Sequence, residues 1–162
     1  MTILRDPRQD DAPGTLRRLL LALVFLGIVG LLLELVLLEH TESATQWIPL
    51  GVLGGGLIAA IALALRPSRG TVRAFQTLMA LFVAAGLLGL VLHYRSNLEF
   101  ELEIDATAAG WELVWRSLRG ATPSLAPGAM AQLGLLGLIL TYRHPALHSA
   151  QLPSTAPGQE TA

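Results

Sequence analysis

The chain has 162 residues, of which 52% are hydrophobic and only 14% charged, with a mean hydropathy of +0.56. That excludes an ordinary water-soluble domain, in which about a quarter of the residues carry charge. A formal net charge of −1 provides no electrostatic footprint for nucleic acid, and the absence of cysteine removes disulfides, thiol relays, iron–sulfur clusters and cysteine-held zinc together.

Apolar runs at residues 19–38, 48–65, 75–92 and 125–142 each approach the length a helix needs to cross a hydrocarbon core of about 30 Å. Residues 1–16, rich in Asp, Pro and Arg, read as a disordered N-terminus, and residues 146–162 as a flexible tail; neither offers much to bury. The first run follows Arg17 and Arg18 as a signal peptide's would, but it is long for one and lacks a small-x-small cleavage site. Pro49 and Pro127 fall at the starts of the second and fourth runs, where a missing amide hydrogen costs nothing, and Pro67 and Pro145 fall just past their ends. Aligning these prolines nearly superposes Arg66 on Arg143, so a duplicated helical hairpin is one reading and shared composition the other.

All 11 basic residues are arginines. Arg5, Arg8, Arg17, Arg18, Arg66, Arg69, Arg73 and Arg143 lie on one side of the runs, which places both termini in the cytoplasm. The other side holds Arg95, Arg116 and Arg119 against seven acids: Glu39, Glu42, Glu99, Glu101, Glu103, Asp105 and Glu112.

Between the third and fourth runs, residues 94–124 form the longest extramembrane segment. Within it Leu98, Phe100, Leu102 and Ile104 alternate with acidic residues, the period-two pattern of an extended strand with one wet face. Trp111, Val114, Trp115 and Leu118 then recur at helical spacing, as in a short amphipathic helix anchored at the membrane interface and ended by Gly120. The fold class that follows is an all-α membrane protein: a four-transmembrane-helix bundle over residues 17–145 with a small periplasmic cap of an extended segment and an interfacial helix.

Intramembrane polar groups are the functional suspects. Glu34, near the outer end of the first run, is a candidate for proton or cation exchange, and in having one carboxylate on the first of four helices the chain resembles the small multidrug-resistance exporters. It departs from them in its off-centre acid and its long third connection. Gln132 in the fourth run reads as interhelical glue. Gly51 and Gly55, four residues apart, offer a small face for close helix approach. His40 and His93 lie at matching outer positions, but no third histidine accompanies them, and no metal or other cofactor is expected. His144 and His148 read as solvated tail residues.

No motif fixes a catalytic chemistry, so the expectation is a non-catalytic accessory or structural subunit of a larger bacterial inner-membrane complex, energy-transducing (light-harvesting or respiratory) or transporting. Its partners are the lipid bilayer and other integral membrane subunits, with no nucleic acid and no soluble substrate. Trp111, Trp115, Leu118, Gly51 and Gly55 are the candidate contact residues. The alternative is a small oligomeric proton- or cation-coupled transporter using Glu34.

Overall fold

A computed structural model describes residues 12–39, 44–120 and 125–147. Among them the fold is all-helical: α1 (Ala12–Leu37), α2 (Trp47–Leu65), α3 (Arg69–Ile104), α4 (Gly110–Leu118) and α5 (Leu125–Leu140), followed by a 3-10 turn at Pro145–Leu147. α1, α2 and α3 are long and apolar enough to cross a membrane, and α5 is a shorter apolar helix. Leucines and isoleucines such as Leu26, Leu33, Ile58, Leu87 and Ile139 stand exposed along these helices, as in a protein whose solvent is lipid. α1 begins at Ala12, so residues 12–16, expected to be disordered, are helical. Residues 1–11, most of the C-terminal tail with His148, and His40 and Glu42 lie outside the described residues.

The helices close a ring in which α1 packs on α2, α2 on α3, α3 on α5 and α5 on α1. Across the ring α1 and α3 make no close backbone approach, nor do α2 and α5. The tightest seam joins α3 to α5. A Cβ on Gly86 would stand 2.6 Å from both the Pro127 carbonyl oxygen and the Ala131 nitrogen, and one on Gly134 would stand 2.5 Å from the Met79 carbonyl oxygen. Only glycine lets the two backbones meet at these points. Inside the ring, Val24 and Ile28 of α1, Leu53 and Leu63 of α2, and Val72, Phe75, Met79 and Phe82 of α3 form a buried core.

One end of the ring gathers arginines, where Arg17 donates to the Arg143 carbonyl (3.4 Å) and Arg66, Arg69 and Arg73 flank the α2–α3 connection. There the Ser68 hydroxyl accepts from the Thr71 amide (3.2 Å) and the Thr71 hydroxyl from the Ser68 amide (2.8 Å), a capping box that starts α3.

At the opposite end the structure overturns one expectation. Residues 97–105 are not an extended strand: α3 runs unbroken for 36 residues, about 54 Å, so that its last turns stand beyond the other helices. A strand without a neighbour leaves its amides and carbonyls unpaired, whereas extending an existing helix needs no new nucleus, and the Leu and Glu residues here are good helix formers. The alternation misled because period two also contains the four-residue spacing of a helix. On that helix Leu98 and Leu102 fall on one side and Phe100 and Ile104 nearly opposite, and both of the latter remain exposed. The buried positions of α3 follow helical spacing into this region, through His93 and Leu98, both half-buried, to Asn97, which is 1% exposed.

The seam gives a direct test. Gly86→Leu should cost about 1–3 kcal/mol through overpacking, while Gly51→Leu, where a Cβ meets open space, should stay within about 0.5 kcal/mol. Thermal unfolding of the purified variants in detergent measures both; equal losses would contradict the seam.

Candidate functional site

Two features at the end opposite Arg17 and Arg143 combine shape with chemistry: a cavity inside the ring and a helical hairpin above it. The cavity has a cause in the α3 sequence. Its inward side chains are large up to Phe82 and then become Ala85, Gly86 and Gly89. Small residues on α5, Ala126 and Pro127, face the same space, and a cavity of about 620 Å³ opens there, lined by residues of α1, α2, α3 and α5. Leu31, Leu53 and Met130 close its buried side. Among the described residues its polar lining comes from Thr45 and Gln46, just before α2, and from His93, about three turns before the end of α3. Pro49 and Pro127, matched in the sequence, both line it.

The hairpin is made by the last turns of α3 and by α4, which packs against them. Asp105 caps α3 and accepts from the Thr107 hydroxyl (2.7 Å) and the Thr107 amide (3.0 Å), turning the chain toward Gly110 at φ +66°. α4 meets α3 through its small side: Ser117 is buried with its hydroxyl donating to the Leu113 carbonyl (2.8 Å), and a Cβ on Gly120 would collide with Asn97. Arg116 ties the two arms, hydrogen-bonded to Glu112 and 3.9 Å from Asp105. The Thr107 hydrogen bonds, reinforced by the Arg116 charge, hold the Asp105 carboxyl below its ordinary range.

With its small side against α3, α4 turns its aromatic side outward. Trp111 is 74% exposed, Trp115 50% and Leu118 46%, and Arg119 lies over the Trp115 ring at 5.8 Å. The amphipathic helix expected from the sequence exists at the expected residues, docked on an extension of α3 where the sequence pattern predicts a strand.

The other candidate residues are dispersed. Glu34 sits in the last turn of α1, exposed, and is absent from the cavity lining, so geometry does not couple it to that space. Gln132 is exposed on α5, on the side that carries Leu135 and Ile139, which removes it from a gluing role inside the ring. The Gly51–Gly55 pair is divided: Gly51 faces open space, while a Cβ on Gly55 would approach the Leu78 side chain to 3.3 Å. With His40 outside the described residues, the pairing of His40 and His93 is not seen, and no group of three metal-ligating side chains occurs among the described residues. Among the described residues, three further polar positions, Asn97, Ser117 and Thr141, are buried. Asn97 had a signal, since it lies four residues beyond His93, which continues the seven-residue series of Val72, Met79 and Gly86.

No family model matches the chain, and neither a characterised protein nor a solved structure was found to be similar to it.

At the arginine end, His144 is half-buried rather than solvated, its Nδ1 accepting from the Ala146 amide (3.2 Å). Burial lowers its pKa from the ordinary value of about 6.5, and the charge of Arg17 lowers it further. Because the folded state disfavours the protonated ring, its contribution to stability is complete above about pH 6.5 and is lost as pH falls through the lowered value. An NMR titration should find the His144 midpoint below about 6.5 and shifted upward in Arg17→Gln; a wild-type midpoint at or above that value contradicts the assignment.

Proposed function

We propose that this chain is a non-catalytic integral membrane subunit of a larger bacterial inner-membrane complex of the energy-transducing or transporting kind. In this reading it is a four-span bundle with cytoplasmic termini and a periplasmic cap, the cap being the α3–α4 hairpin. The observation that carries the reading is the outward aromatic side of α4. Trp111, Trp115 and Leu118 on α4 are exposed, as are Phe100 and Ile104 on the helix that supports it, so this segment presents large apolar side chains past the membrane-length helices. Trp is the residue type most enriched among binding hot spots, and an Arg stacked on Trp115 adds a second favoured type.

The membrane-length surfaces support the same reading. Gln132 places a side-chain amide among exposed leucine and isoleucine on α5, where lipid gives it no hydrogen-bond partner. Gly30, Gly51 and Gly54 have open space where a Cβ would stand, so those points of α1 and α2 are free for a close helix neighbour that this chain does not itself supply.

Two measurements test this reading. Affinity purification from native membranes in mild detergent should recover a partner in fixed stoichiometry. Trp111→Ser and Trp115→Ser should each weaken its recovery about tenfold or more, whereas wild-type protein that runs alone contradicts the proposal. The cysteine-free chain also lets single thiols report orientation: Ala106→Cys should react with an impermeant maleimide added from the periplasmic side, and Pro67→Cys only after lysis. The reverse pattern overturns the topology.

A further inference from the structure

The cavity is a different kind of feature from the docking surface, because it opens between the helices of the ring, with residues of α1, α2, α3 and α5 around it. Its depth follows from the helices that line it. Polar positions Gln46 and His93 are at one end and Leu53 of α2 is at the other, and seven residues of α2 separate Gln46 from Leu53, a rise of about 10 Å. That is about one third of a hydrocarbon core of ~30 Å, so the space starts near the outer ends of α2 and α5 and stops about 4 Å short of their middle. Its volume of about 620 Å³ lies within the range of small-molecule sites, roughly 300–1,000 Å³. Its deep wall of Leu31, Leu53 and Met130 gives water no hydrogen-bond partners, and an apolar space of this size left bare forfeits packing.

The order of polar and apolar groups along the cavity matches that of a lipid in one leaflet. With α2 spanning the bilayer, as in the proposed function, Thr45 and Gln46 just before it fall at headgroup depth together with His93, and the apolar wall continues inward as an acyl chain does. The small residues that create the space, Ala85, Gly89 and Ala126, come from two different helices, so the opening is built from both sides and not left by one missing side chain. The geometry points to a phospholipid-binding site in which one acyl chain of a phospholipid, from the leaflet on the side opposite Arg17 and Arg143, enters the ring and its glycerol and phosphate oxygens lie at Thr45, Gln46 and His93.

This inference stands apart from the docking role, since a chain-filled cavity needs no protein partner. The experiment uses the full chain reconstituted in liposomes of phosphatidylethanolamine and phosphatidylglycerol doped with a phosphatidylcholine that carries a photoreactive diazirine in one acyl chain. After illumination, mass-spectrometric mapping should find adducts at Leu53 and Met130, which are 1% and 4% exposed and so out of reach of lipid outside the ring. Ala85→Phe, which fills the space, should lower those adducts at least tenfold while leaving adducts on the exposed Ile58 and Leu87 unchanged. Labelling confined to exposed residues in the wild type overturns the site, as does labelling of Leu53 and Met130 that Ala85→Phe leaves intact. Solvent extraction of protein purified from native membranes provides the second readout: about one retained phospholipid per chain is expected, and a retained isoprenoid or pigment molecule in its place would overturn the assignment to phospholipid.

Discussion

The close approach of α3 and α5 at Gly86 and Gly134 is the constraint on which the rest of the structure depends. In lipid there is no hydrophobic drive to bring apolar helices together, so association rests on van der Waals contact between surfaces that fit. The two glycines let backbone atoms meet where any side chain would intrude. With that seam fixed, α2 packs on the other flank of α3 and α1 bridges α2 to α5, and the ring is closed. The same run of small residues that makes the seam also leaves the cavity, because Ala85 and Gly89 continue the inward face of α3 after Phe82 with too little volume to fill it. Close approach at Gly86 and the open space beside it thus have one source in sequence.

The hairpin at the far end follows from the length of α3. A helix held by the seam projects its last turns beyond its neighbours, and these turns offer a surface on which a short amphipathic helix can rest. Asn97, Ser117 and Gly120 lie at that contact and Leu113 and Val114 are half-buried, while Trp111 and Trp115 stay exposed. Had α4 buried its aromatic side against α3, the cap would be a plug. Its opposite orientation is what supports the proposed role as a contact element, together with the exposed amide of Gln132 on α5.

Much of this was legible in the sequence, for physical reasons that differ by element. The apolar runs were visible because bilayer thickness sets helix length, and α2 begins and ends within a residue of the run that announced it, at Trp47 and Leu65. α4 was visible because tryptophans and charges recur at helical spacing, and its expected residues 111–118 fall within Gly110–Leu118. The α3 extension was not, because Leu98, Phe100, Leu102 and Ile104 satisfy both the strand period and the four-residue spacing of a helix, and only the absence of a pairing strand decides between them. The facing of Glu34, Gln132 and Gly51 was also hidden. Each lies on an almost uniformly apolar helix, where periodicity cannot distinguish a side that meets protein from one that meets lipid. The cavity was hidden for a related reason: it is made by Ala85, Gly89, Ala126 and Pro127 acting together, and their proximity exists only once α3 and α5 have met.

The most direct test of the docking account is a cryo-EM map of the assembly extracted in native lipid nanodiscs. The account predicts density of another subunit against Trp111 and Trp115 and along the Gln132 side of α5. A map in which those side chains meet only water and lipid would contradict it.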